Sequence, residues 1–184
     1  MQPRIQPAQP PYPDFAQKHF DRLMPPGVAP LALFTTLAAD ERLFTRFMNA
    51  GLLDRGHLTL RQREIVIDRV TAACGSEYEW GVHVAIFGEK VGLSAPQLAS
   101  VVHGSAADSC WVAQDERLLL RICDALHQTA LIDDALWKEA RLTFSEYAMV
   151  EILMLAGFYR MVSYLTNAMA LPLETWASRF PSRD

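Results

Sequence analysis

Apolar residues recur three and four apart along most of the chain and nowhere alternate with polar ones, which is the pattern of helices and not of strands. Residues 115–129 show it plainly, with Leu118, Leu119, Ile122, Cys123 and Leu126 on one face. Thr59 with Gln62, and Ser76 with Glu79, have the spacing of a capping box, in which a hydroxyl and a longer polar side chain satisfy each other's backbone amides. These pairs predict helices over about 59–74 and 76–92, the second closed by Gly92. Shorter helices are expected over 30–39, 41–51, 94–103 and 133–141, with a loop over 104–112. Ser145 opens the longest apolar stretch, 147–170, which Pro172 stops and which should be central to the core. The expected fold is all-α, a single-domain helical bundle.

The first thirty residues differ from this body. They hold eight of the eleven prolines, and proline fixes φ and removes a backbone donor, so an extended or turn-rich arm is expected. Tyr12, Phe15, Phe20, Leu23 and Met24 need apolar partners, so the arm should pack on the body or on a neighbouring subunit, with a short helix over 14–23. The chain thus divides into an arm (1–30), a helical domain (31–175) and a tail (176–184).

Composition narrows the function classes. Hydrophobic residues make up 51% and charged ones 21%, as in an ordinary globular protein. A net charge of −4 without a basic tract gives no electrostatic footprint for nucleic acid. No apolar run is expected to reach the roughly 20 residues of a membrane span, and the first residues, MQPRIQPAQPPYP, lack the apolar core of a signal peptide. Three widely spaced cysteines, Cys74, Cys110 and Cys123, argue against a disulfide framework and fit a reducing cytoplasm. The partner expected is a small molecule, with no nucleic acid and no membrane.

Candidate chemistry gathers between residues 59 and 94. Glu79 and His83 are four apart and share a helix face, and Glu64 lies in the first turn of the preceding helix. If the two helices bring Glu64 to His83, a carboxylate holds the imidazole tautomer and raises its pKa, a workable acid–base pair. Bland readings stand beside this one. Glu79 has the position of a capping residue, Glu64 suits a helix start, and a lone histidine on an apolar helix is commonly a satisfied core group. Trp80, Phe87, Met149, Met154 and Phe158 have the spacing of core or pocket wall. A metal held by His83 and Glu79, with His57 or His103, lacks any HExxH or cysteine-rich spacing, so no metal is expected.

Several of these segments together resemble the carboxymuconolactone decarboxylase family, which includes the alkylhydroperoxidase D-like proteins. The matching features are the LRQRE run ending at Glu64, Tyr78-Glu79-Trp80, His83, and Val91-Gly92-Leu93-Ser94. Asp115-Glu116, Trp137, Met154, Gly157, Phe158, Tyr159 and Asn167 extend the likeness to about residues 31–175. The resemblance implies an alkylhydroperoxidase D-like bundle assembled into trimers or hexamers. In the peroxidase branch a Cys-x-x-Cys pair precedes the histidine. Aligned on His83, those positions hold Ser76 and Glu79, and Cys74 lies two residues too early. A dithiol peroxidase needs both an attacking thiolate and a resolving thiol. The resemblance therefore implies a cofactor-free lyase that decarboxylates a small carboxylated lactone, with His83, Glu64 and Glu79 as catalytic candidates. Ser76, Tyr78, Trp80, Tyr159 and Arg160 are candidates for substrate binding, and Arg63 and Arg69 are further candidates for an anionic substrate. Two alternatives stay open: residual peroxidase chemistry through Cys74, and a non-catalytic small-molecule-binding assembly.

Overall fold

The computed structural model describes residues 2–25 and 27–183; Met1, Pro26 and Asp184, which fall in the expected arm and tail, lie outside the described residues. Among the described residues there are nine α-helices and no strand. They are α1 (Asp14–Leu23), α2 (Ala32–Leu37), α3 (Glu41–Ala50), α4 (Leu60–Ala73), α5 (Glu77–His83), α6 (Ala95–His103), α7 (Gln114–Thr129), α8 (Asp134–Arg141) and α9 (Glu146–Ala168).

Helix starts obey the cap chemistry. Thr59 and Gln62 form a complete capping box at α4, and Ser94 and Gln97 form another at α6. Asp40, Asp133 and Ser145 accept from the third helical amide of α3, α8 and α9. The expected box at Ser76 does not form. The Ser76 hydroxyl is buried and bonds the Thr166 hydroxyl of α9 at 2.8 Å, so an interhelical partner takes it from the backbone. The helix beyond it is also shorter than expected. It is α-helical only to His83 and continues as a π-helical segment, Val84–Gly88. The extra residue in a π turn rotates the side chains beyond it, and such turns often mark functional positions.

α4 is the axis of the core. Arg63 through Asp68, Val70 and Thr71 are all buried, because α5, α6, α7 and α9 surround this helix. α9 corrects the expectation that no apolar run approaches membrane length: its 23 residues are long and apolar enough to cross a membrane by length and composition. Met149, Ile152, Leu155, Ala156, Tyr159 and Val162 face the core, as in a central helix of a packed domain. Tyr147, Val150, Met154, Met161 and Tyr164 leave an exposed apolar stripe along its opposite side.

The termini are docked onto this body. Arg4 donates its amide to Met169 O (2.8 Å) and its guanidinium to Ala168 O (3.1 Å), placing a cation on the carbonyl end of α9. α1 packs Phe20 edge-on against Phe44 of α3, with ring centres 5.8 Å apart. The segment after α9 runs back across α5. Ser178 donates its amide to Gly81 O (3.0 Å), and Phe180 lies 5.1 Å from the Trp80 ring.

Gly81 permits that crossing, since a Cβ there would collide with the Ser178 carbonyl and touch Ala177. Gly81→Ala should therefore lower stability by about 1–3 kcal/mol, as overpacking does. Denaturant unfolding checks this, and an unchanged midpoint would mean that the tail does not hold α5.

Candidate active site

α4, α5 and α9 pack against one another, and each carries polar groups on its buried face. α4 presents Glu64, Asp68 and Thr71, α5 and its preceding turn present Ser76, Glu79 and His83, and α9 presents Tyr159, Ser163 and Thr166. The spacing in each set is three or four residues, so each lines one helix face. A polar seam thus runs through an otherwise apolar core, closed at one end by the Ser76–Thr166 bond.

At the other end the seam becomes a charge cluster. His83 Nδ1 lies 2.8 Å from Glu64 Oε2. His83 Nε2 lies 3.0 Å from the Tyr159 hydroxyl and 3.5 Å from Glu79 Oε1. Glu64 Oε1 accepts from Arg63 Nε (3.0 Å) and Nη2 (2.9 Å), so this carboxylate joins a guanidinium to the imidazole. Glu64 is 1% exposed and His83 5%. Burial alone pushes the imidazole pKa down, but hydrogen bonds and charge from Glu64 and Glu79 outweigh it and raise the value to about 10. Two cations, Arg63 and His83, thus balance two carboxylates, Glu64 and Glu79.

Asp68 is the fifth ionisable member, and sequence reading passed over it. It lies one turn beyond Glu64 on the same face, is 1% exposed, and its Oδ1 has no partner among the described residues. Burial pushes its pKa well up; the charge on His83 opposes this and that on Glu64 adds to it. Its i, i+4 spacing from Glu64, on the same helix face, was the available signal. Burial and the nearby carboxylates likewise hold the Tyr159 hydroxyl in its protonated form.

Most of the other candidates lie away from the imidazole. Tyr78 turns away from His83: its hydroxyl donates to Glu174 Oε1 (2.6 Å) and accepts from the Leu33 amide (3.1 Å). Trp80 packs under the tail, with its Nε1 unpartnered among the described residues. Of the three arginines, only Arg63 reaches the cluster. Arg69 is clamped by Asp124 at 2.6 and 2.9 Å. Arg160 bonds the Tyr164 hydroxyl and His127 O, and borders a cavity of about 320 Å³ together with Cys123 and Leu126. Successive helical residues diverge by about 100°, which is why Tyr159 faces His83 and Arg160 does not. His57 stacks on Tyr147, and His103 bonds Pro181 O. Cys74 lies 3.8 Å from His127, and burial pushes its thiol pKa up more than Arg160 lowers it.

Comparison with known proteins adds the family context. Residues 41–119 match the carboxymuconolactone decarboxylase family. Among curated proteins no sequence match was found. A peroxidase-related protein from Silicibacter sp. TM1040 has the same fold, with a TM-score of 0.80 and 19% identity over 98% of this chain and 99% of that one. An alkylhydroperoxidase AhpD core protein from Ralstonia eutropha JMP134 gives 0.78 and 19% over 95% of each chain. A variant of the debrominase Bmp8 in complex with 2,3,4-tribromopyrrole gives 0.71 and 16% over 96% and 94%. The alkylhydroperoxidase D-like all-α fold expected from the sequence is therefore the fold of this chain.

Two measurements test the cluster. Glu64→Gln leaves Arg63 and His83 buried without their shared carboxylate and should cost about 3–5 kcal/mol in denaturant unfolding. A cost near zero would mean that the pair is not formed. For His83 the folded state keeps a proton that the unfolded chain sheds above about pH 6.5. Its stabilisation is complete below that pH and is lost as pH rises through about 10. Unfolding across this window should show that decline, and His83→Gln should flatten it.

Proposed function

We propose that this chain is a carboxymuconolactone decarboxylase-like lyase that acts on a small carboxylated lactone or related acid by general acid–base chemistry, without dithiol redox. The observation that carries this reading is the buried Glu64–His83 pair at 2.8 Å, with Tyr159 and Glu79 at the far nitrogen. In this reading the bond between the ring carbon and the carboxylate breaks and carbon dioxide leaves. The electron pair passes to the lactone carbonyl, and the resulting dienolate-like anion is protonated on carbon by the Nε2 proton of His83. Glu64 orients the ring by accepting from Nδ1–H and keeps the imidazolium charged, Tyr159 supplies a hydrogen bond to developing negative charge, and solvent restores the proton. The Bmp8 complex sets a precedent for a small cyclic ligand in this fold.

The observations favour this over the thiol alternative. Ser76 and Glu79 stand at the positions of the dithiol, and the raised Cys74 pKa works against thiolate formation. The trimer or hexamer expected from the resemblance is part of the proposal, with the exposed stripe of α9 as the surface for a second copy. Met154→Glu, at the centre of that stripe, should shift the protein to smaller species on sizing.

Carbon dioxide release from a panel of carboxylated lactones tests the activity, with peroxide consumption measured alongside. His83→Ala should reduce release by about 10²- to 10⁴-fold. Release that is indifferent to His83 in a folded variant would remove the assignment, and consumption of peroxide would restore the thiol alternative.

A further inference from the structure

The His83 cluster is buried, and the way its cover is fastened points to how substrate enters. The connection between α3 and α4, residues 51–59, meets α9 at Gly51 and again at Gly56 and His57, and Arg63 between them at Leu53. Gly51 packs beside the Phe158 ring, next to Tyr159. Leu53 O accepts from Arg63 Nη1 at 2.7 Å, while the other edge of the same guanidinium holds Glu64. The Arg63 guanidinium also lies over Phe87, 5.5 Å from its centre, and Phe87 in turn lies 5.6 Å from His83. Arg63 therefore touches both this loop, through Leu53 O, and the acid–base pair, through Glu64. The far end of the loop is fastened to α9. Glu151 Oε2 accepts from the His57 amide at 2.6 Å, and the His57 ring stacks on Tyr147 at 5.7 Å. Gly56 lets the Glu151 carboxylate approach, since a Cβ there would collide with it.

We propose that Arg63 is the substrate-carboxylate clamp of this site and also the latch of the 51–59 loop: an incoming carboxylate replaces Leu53 O on the guanidinium and frees the loop above His83. This role rests on the reading of the substrate as a carboxylate. A backbone carbonyl is a neutral acceptor, and a carboxylate takes two parallel N–H donors with a charge-assisted gain that the carbonyl does not match. The cluster's own charges already cancel, so an added anion needs a donor that is not committed to Glu64. The Nη1 edge of Arg63 is that donor, and among the three candidate arginines it alone adjoins the imidazole. Glu151 is a second, independent fastening that touches neither Arg63 nor His83. Loosening it lowers the cost of opening without removing any contact to substrate, and apparent affinity rises with the fraction of molecules that are open.

Benzoate binding measured by calorimetry, with benzamide as the uncharged control, tests this without requiring turnover, so that absence of lactone decarboxylation and absence of a carboxylate clamp are separate results. Wild type should bind benzoate and not benzamide. Arg63→Gln should lose benzoate binding, and Arg63→Lys, which keeps charge without the fork, should weaken it should the glutamine variant fail to fold. Glu151→Ala should bind benzoate about tenfold tighter, corresponding to loss of one charged hydrogen bond from the closed state. Amide exchange over residues 52–58 should rise in both Arg63→Gln and Glu151→Ala. Retained benzoate binding in Arg63→Gln, equal binding of benzamide, or unchanged or weaker binding in a folded Glu151→Ala would each overturn the proposal.

Discussion

The bond between Glu64 and His83 is the constraint around which the rest is arranged. It joins α4 to α5 across the centre of the domain and places an ion pair where water is excluded. Taking two charges out of water costs several kcal/mol per ion, so the pair persists only because the remaining acceptors and donors on it are engaged. Arg63 takes the second oxygen of Glu64, and Tyr159 and Glu79 take the second nitrogen of His83. The helices must then meet at fixed rotations. The Ser76–Thr166 bond, at the opposite end of the seam, fixes α5 against α9 in the same way. A polar seam of this kind specifies helix register more sharply than an apolar interface, because a slip leaves charges without partners.

What the sequence made legible was local. The Thr59–Gln62 pair is satisfied within four residues and its capping box forms as expected, and the structure shows a second box at Ser94 and Gln97. Ser76 and Glu79 have the same spacing and do something else, because each finds another partner: Thr166 is 90 residues away, and His83 competes for the carboxylate. A window of four residues cannot register that competition. The resemblance, carried by ordered motifs across the chain, located Glu64 and His83, while their contact depended on a crossing angle that only packing sets. Asp68 was hidden for the opposite reason. An acid among apolar residues of a helix reads as a solvated position until it is known that α4 is surrounded by other helices.

The length and hydropathy of α9 illustrate the same limit. A core helix buried on one side and apolar on the other has the composition of a membrane span. What distinguishes it here is the polar face, Tyr159, Ser163 and Thr166, each bonded either within the helix or to α5. Residues remote in sequence complete the site's surroundings: the tail crosses at Gly81, and the arm caps the carbonyl end of α9 through Arg4. The arm's aromatic residues called for packing on the body or on a neighbour, and the structure packs Phe20 on the body. The contacts of the tail at Gly81 and of Arg4 fall on the two helices that carry His83 and Tyr159, so they bear on site geometry as well as on stability.

Serine and glutamate at positions 76 and 79 bear on more than the available nucleophile. A thiol pair next to a histidine calls for an imidazole that can accept and release protons as thiolate forms. Glu64 and then Glu79 place two carboxylates on the imidazole and, against burial, raise its pKa to about 10, which favours a protonated histidine. Such a group is suited to giving a proton and poorly suited to deprotonating a thiol or a peroxide near neutral pH. The same charge arithmetic explains why the site is shut. With Arg63 and His83 balanced by Glu64 and Glu79, the cluster is stable when dry. The Nη1 edge of Arg63, which donates to Leu53 O, is the part of the guanidinium not committed to Glu64.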